Sequence, residues 1–282
     1  MHRTGFPGRT GRPRGHTAAA ALGAVALLAA ACSGGGTTGG TGGSATTSAS
    51  ATTSAAVPPG DAVGALFPSA SSSLHICTAS VVDSPKGDLV ATAAHCVAGT
   101  GRGMAFAPGY DAGREPFGTW TVTAAYAAPA WLSGQDPRDD VAFLVVAPRT
   151  IDGRRVEIQQ VAGGNPLGGA PAVGETVRVT GYAFGSLGRP IVCDRPVSTH
   201  DGFPTFGCAG FVAGTSGAPW VAAAAPGHPL VGLIGGLHQG GCRSNVSYTA
   251  PFGATIRRLY DRAVSGGAPS TLPTPGPDGC AG

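Results

Sequence analysis

Ser216 lies in the stretch Gly210-Phe211-Val212-Ala213-Gly214-Thr215-Ser216-Gly217-Ala218-Pro219-Trp220, between glycines and followed by a small residue and a proline. A serine hydroxyl is a weak nucleophile until a base takes its proton, and the oxyanion it would generate needs N–H donors close by. Flanking glycines let the backbone turn sharply enough to offer such donors. Two readings of the stretch therefore stand side by side, an activated nucleophile and a Gly-rich surface turn. The nucleophile requires a histidine, and a carboxylate to hold that histidine in the right tautomer. Of the seven histidines, His2 and His16 fall in an N-terminal leader and His200 and His228 in polar, turn-like surroundings. His95 ends the run Leu89-Val90-Ala91-Thr92-Ala93-Ala94-His95-Cys96. A histidine among small residues at a strand end either projects into a cleft or serves as a structural core group.

The elements that must position these residues read as β-structure. The chain has 282 residues with 48 Gly and 24 Pro, and only 12% of it is charged. From Val63 onward, short apolar runs alternate with Gly/Pro/Ser/Asp turns, as in His75–Val82, Leu89–Ala94, Trp120–Tyr126, Val141–Val146, Thr176–Gly181 and Leu230–Leu237. Short strands at this spacing imply an all-β sandwich or barrel. Only Ala254–Val264 has helical periodicity, with Ile256, Leu259, Tyr260 and Val264 three and four residues apart. Residues 265–282 return to Gly and Pro and read as a tail.

The N-terminal part is of a different kind. Residues 1–31 hold Arg3, Arg9, Arg12 and Arg14, no acidic residue, and an apolar run Ala18–Ala31, the layout of a secretory signal. Removing those four arginines leaves 14 basic against 15 acidic residues, and no basic cluster elsewhere points to nucleic acid. Leu27-Leu28-Ala29-Ala30-Ala31-Cys32-Ser33 resembles a bacterial lipoprotein processing site, with lipidation expected at Cys32. Ala29 stands where that family usually has Leu, and Ala29-Ala30-Ala31 would equally serve an ordinary signal peptidase. Residues 33–60, almost entirely Gly, Thr, Ser and Ala, read as a disordered spacer after the anchor.

Three segments share a family likeness. Ala91-Thr92-Ala93-Ala94-His95-Cys96 resembles the histidine motif of trypsin/chymotrypsin-like serine proteases, Asp139-Asp140-Val141-Ala142-Phe143-Leu144 their acid motif, and Gly214-Thr215-Ser216-Gly217-Ala218-Pro219 their nucleophile motif. The order His, Asp, Ser is that of the family, in its bacterial secreted type, and the likeness covers about residues 61–264. It implies two six-stranded antiparallel β-barrels, about 61–150 and 165–252, with a C-terminal helix at about 253–264. It further implies an exported serine endopeptidase acting on protein or peptide substrates. His95, Asp140 and Ser216 would be catalytic, with Asp139 the competing acid. The backbone N–H groups of Gly214 and Ser216 would form the oxyanion hole. Gly210, Gly235 and Gly236 would border the substrate pocket. No cofactor, metal or nucleic acid is expected. The membrane is met only through the lipid anchor, and the protein is expected to be a monomer.

Departures from the motif carry information. Thr215 replaces the Asp that, in activated animal proteases, pairs with a newly exposed N-terminus. The resemblance therefore implies direct folding to the working form. Gly210 replaces the Asp that selects basic side chains. Ile234 stands where glutamate-specific members have a histidine, so His238 reads as a loop residue. Excluding Cys32, six cysteines remain, and an exported chain permits disulfides. Cys77–Cys96 matches the family's bridge beside the histidine. Cys193–Cys208 and Cys242–Cys280 are the favoured remaining pairs, with Cys208–Cys242 the alternative. An α/β-hydrolase reading conflicts with the chain order, since there the serine precedes the histidine. The rival from another class is a catalytically idle protease-like domain that binds a partner at the cell surface.

Overall fold

The computed structural model describes residues 52–56 and 61–280. The leader and Cys32 lie outside the described residues. Among the described residues sixteen strands follow one another: β1 (Ala55–Ala56), β2 (Val63–Phe67), β3 (Cys77–Val82), β4 (Leu89–Thr92), β5 (Ala105–Pro108), β6 (Trp120–Ala127), β7 (Ala142–Val146) and β8 (Arg149–Ile151). Then come β9 (Arg154–Val156), β10 (Thr176–Gly181), β11 (Ile191–Pro196), β12 (Ser198–His200), β13 (Phe203–Gly207), β14 (Pro219–Val221), β15 (Leu230–Leu233) and β16 (Val246–Tyr248). Helices are few: α1 (Pro129–Gly134), α2 (Ile158–Ala162) and α3 (Ala254–Val264). No helix among the described residues is long and apolar enough to cross a membrane.

β2-β3-β4-β7-β6-β5 close into a six-stranded antiparallel barrel. Its central strands are buried on both faces, and their period-2 alternation divides the side chains between two cores. Val90, Ala142 and Leu144 point to the barrel interior with Leu66, Phe106 and Trp120. Leu89, Ala91 and Phe143 point the other way, to Leu230, Leu233 and helix α3. That helix buries Ile256, Leu259 and Ala263 on one face, and its Tyr260 meets Phe143 edge-on at 5.7 Å.

A second closed barrel is not seen among the described residues. Among the described residues, the second half comprises a five-stranded sheet, β1-β11-β10-β14-β15, and a three-stranded sheet, β12-β13-β16. Between β15 and β16 the backbone ladder shrinks to one bond, from the Gly235 N–H to the Tyr248 carbonyl at 3.0 Å. The Leu233 N–H goes instead to the Thr249 hydroxyl at 2.8 Å. Pro196 at the end of β11 and Pro204 in β13 remove further donors. The core of this half packs Phe206 edge-on against both Phe211 and Trp220, each at 5.1 Å.

β1 lies within the stretch whose composition reads as spacer. It pairs antiparallel with β11, Ala55 opposite Val192 and Ala56 opposite Ile191. Edge pairing uses backbone groups alone, so a segment without large apolar side chains can dock this way. Three disulfides join Cys77 to Cys96, Cys193 to Cys208 and Cys242 to Cys280.

Candidate active site

The register of two neighbouring strands brings His95 to Asp140. β4 and β7 are antiparallel, with Thr92 opposite Ala142, so the chain leaving β4 and the chain entering β7 emerge side by side. Beyond β4 a single 3-10 turn, Ala94–Cys96, carries His95. Before β7 another, Pro137–Asp139, delivers Asp140. The His95 Nδ1–H donates to Asp140 Oδ2 at 2.7 Å, and the His95 backbone N–H donates to Oδ1 at 2.9 Å. The Gly236 N–H gives Oδ2 a second bond at 2.9 Å. The Asp140 side chain is wholly buried, and three donors offset what burying a carboxylate would otherwise cost. Asp139 makes no such contact, and burial, reinforced by the nearby Asp136 carboxylate, holds its carboxyl above the usual range. The Cys77–Cys96 bridge ties the histidine's turn to β3.

Ser216 occupies a tight loop whose glycines are sterically required. Gly214 has φ +94°, and a Cβ there would lie 2.6 Å from the Tyr182 carbonyl oxygen. Gly217 has φ +80°, and a Cβ would lie 2.2 Å from the Thr78 carbonyl oxygen. The Thr215 hydroxyl donates back to the Val212 carbonyl at 2.7 Å, as does its own N–H at 3.1 Å. The buried residue before the serine is therefore satisfied within its own loop. The N–H groups of Thr215, Gly217 and Ala218 all have backbone acceptors. Those of Gly214 and Ser216 have none among the described residues. Two N–H groups without acceptors, on Gly214 and on Ser216 itself, are what an oxyanion site needs, and those of Phe211 and Ala213 in the same loop have no acceptor among the described residues either.

His95 and Ser216 line one cleft of about 560 Å³, together with Phe211, Ile234, Gln239 and Arg243. Gly210, Gly235 and Gly236 are not among its lining residues. A Cβ on Gly210 would meet Ser54 Oγ at 2.2 Å, and one on Gly235 would meet Asp140 Oδ2 at 3.0 Å. These glycines thus admit the N-terminal strand segment and the buried carboxylate. His238 does line the cleft, and its Nδ1–H donates to the Asp278 carbonyl at 3.0 Å.

Sequence reasoning missed Thr78. Its N–H donates to the Ser216 carbonyl at 2.8 Å and its hydroxyl to the Gly214 carbonyl at 3.0 Å. The Tyr182 N–H donates to that hydroxyl at 2.9 Å. A threonine in the fully buried strand CTASVV was the available signal, since a buried hydroxyl demands a partner. His75 was also missed. It is buried, donates from Nε2 to the Tyr182 carbonyl at 3.0 Å and packs beneath Gly214.

No protein-family model matches the chain, and no curated protein matches it by sequence. Solved structures do. The protease Anisep from Arthrobacter nicotinovorans superposes with a TM-score of 0.63 at 24% identity, over 74% of this chain and 98% of its own. A Glu endopeptidase gives 0.58 at 16%, over 77% and 98%. Human heparin binding protein gives 0.58 at 18%, over 78% and 99%. The fold is that of the trypsin/chymotrypsin-like serine proteases. Neighbours of this protease fold include, by name, both peptidases and a binding protein. The choice between those activities therefore rests on the side chains in the cleft.

Proposed function

We propose that the chain is an exported serine endopeptidase. In this reading the Ser216 hydroxyl attacks the scissile carbonyl carbon while His95 Nε2 takes its proton. The Gly214 and Ser216 N–H groups hold the resulting oxyanion, each donor contributing about 3 kcal/mol at the transition state. The C–N bond then breaks as His95 returns the proton to the leaving amine. Water, activated by the same imidazole, releases the acyl group from Ser216. Asp140 keeps Nδ1 protonated and Nε2 facing the cleft, and stabilises the imidazolium.

One observation carries the proposal: a wholly buried carboxylate bonded to the Nδ1–H of a histidine that shares a cleft with Ser216. The N–H pair without acceptors supports it. Phe211 and Ile234 give that cleft apolar walls, suited to an uncharged side chain beside the scissile bond. Three disulfides fit an oxidising, exported environment. We further propose a tether through lipidated Cys32, with the Gly/Ser/Thr-rich residues that precede the docked β1 holding the domain clear of the envelope.

A serine-directed fluorophosphonate should label the protein and leave the Ser216→Ala variant unlabelled. Well-folded protein that takes no label would overturn the enzyme reading and select the binding domain. A mixed peptide library would then define the preferred side chain. The mass of the mature N-terminus in membrane fractions tests Cys32.

A further inference from the structure

The C-terminal residues, read from composition as a tail, reach the cleft and line part of it. Beyond α3 the Tyr126 hydroxyl donates to the Gly267 carbonyl at 3.1 Å, and the Ser270 N–H donates to the Ala125 carbonyl at 2.8 Å. Leu272 is buried and exchanges two backbone bonds with Gly99, at 2.9 and 2.7 Å. Up to this point the tail follows the wall that carries His95. Then it leaves that wall. The two ends of the Gln135 amide hold the next turn: Nε2 donates to the Thr274 carbonyl at 3.0 Å and Oε1 accepts from the Gly276 N–H at 2.7 Å. From a turn that packs against the Pro137–Asp139 turn, Gln239 Nε2 donates to the Gly276 carbonyl at 2.8 Å. His238 donates to the Asp278 carbonyl, and the Cys242–Cys280 disulfide fastens the end. Pro275 and Asp278 line the same cleft as His95 and Ser216.

Gly276 is thus held at both its N–H and its carbonyl, by Gln135 on the loop that leads to Asp140 and by Gln239 on the neighbouring loop. A polypeptide strand laid along the cleft in that direction would need the volume and the hydrogen-bonding groups that residues 274–278 already occupy. We infer that this C-terminal strap is a specificity determinant of the proposed peptidase. It closes the cleft at one end, so that the site takes a short or terminal stretch of substrate and disfavours an extended chain running past the strap. The inference rests on the protease reading for its meaning, but the closure itself can be measured by binding.

The test compares the full chain with two variants. One ends after Pro273 and carries Cys242→Ser, so that Ser270 and Leu272 keep their anchorage. The other is full-length Cys242→Ser/Cys280→Ser, which guards against a truncation that fails to fold. Binding of fluorescein-casein is read by polarisation on a Ser216→Ala background, where nothing can be cut. Release of the strap should tighten binding at least tenfold. In the Ser216 proteins, casein cleavage per fluorophosphonate-labelled site should rise by a similar factor. Folded variants that bind casein no more tightly than the parent overturn the strap. Absence of labelling in all forms overturns the protease reading instead, and the binding arm still decides the strap.

Discussion

Thr78 and Gly214 are joined by a 3.0 Å hydrogen bond across 136 residues of sequence. The bond clamps the peptide that lies between the Gly214 and Ser216 N–H groups. The hydroxyl that donates to Gly214 also accepts from Tyr182, so both its proton and a lone pair are committed. Thr78→Val keeps the shape and removes the clamp. In the proposed mechanism Thr78 touches no reacting atom, so it is a positioning residue. We expect kcat to fall about tenfold with KM little changed, because a misaimed donor loses part of the effect of a deleted one. Thr78→Ser should restore most of it. A matching rise in KM, or failure of serine to rescue, would argue for a purely structural role.

The adjacent acids separate cleanly. Asp140 accepts three hydrogen bonds, two of them from His95, whereas Asp139 is partly exposed at the end of its turn. Asp140→Asn would place an amide against Nδ1 and favour the wrong tautomer, a change expected to cost about 10⁴-fold in kcat. Asp139→Asn should stay within about threefold of the parent. Steady-state hydrolysis of the best peptide from the library measures both, and equal losses would refute the assignment.

His75 predicts a pH dependence of stability. Burial, only partly offset by its bond to the Tyr182 carbonyl, holds this imidazole below its ordinary value. Three aromatic rings, Phe67, Tyr182 and Phe184, surround it, so protonation in the folded state brings no counter-charge. Between the lowered folded value and the ordinary value of about 6.5 the unfolded chain binds the proton and the folded one does not. Stability is therefore full above about pH 6.5 and is lost as pH falls through the folded value. Melting temperatures from pH 8 to 5 should drop less steeply for His75→Gln than for the parent. Parallel curves would rule His75 out as the cause.

Local signals were legible and long-range ones were not. The helical spacing of Ile256, Leu259 and Tyr260 predicted a helix over Ala254–Val264, where α3 lies, because one apolar stripe suffices to define a helix face. Thr176–Gly181 is a strand with the expected bounds. Whether β15 and β16 share a ladder turns on where single backbone groups go, and the Leu233 N–H goes to the Thr249 hydroxyl. The pairing of β1 uses only backbone groups, which composition does not register. The strap depends on Gln135 and Gln239, polar side chains more than a hundred residues apart that no periodicity distinguishes from solvated ones. Gly210, Gly235 and Gly236 enter the pocket only through the family resemblance, and what lies against Gly210 and Gly235, Ser54 and Asp140, is remote in sequence.

The two causes of a glycine requirement can be separated by experiment. Gly153 and Gly217 both have positive φ, +73° and +80°. Gly153 closes the β8–β9 hairpin after Asp152, and a Cβ there would meet nothing within 4 Å. Gly153→Ala therefore carries only the backbone penalty, about 1–2 kcal/mol. At Gly217 the added methyl would lie 2.2 Å from both the Thr78 carbonyl oxygen and the Thr92 hydroxyl. The Thr78 carbonyl belongs to a central barrel strand and cannot move aside freely, so overpacking should add about 1–3 kcal/mol. Urea midpoints of the two variants measure the difference. Gly217→Ala should also slow fluorophosphonate labelling, because relieving the clash shifts the loop that carries Ser216. Equal midpoints and unchanged labelling would mean that the loop has slack this geometry does not show.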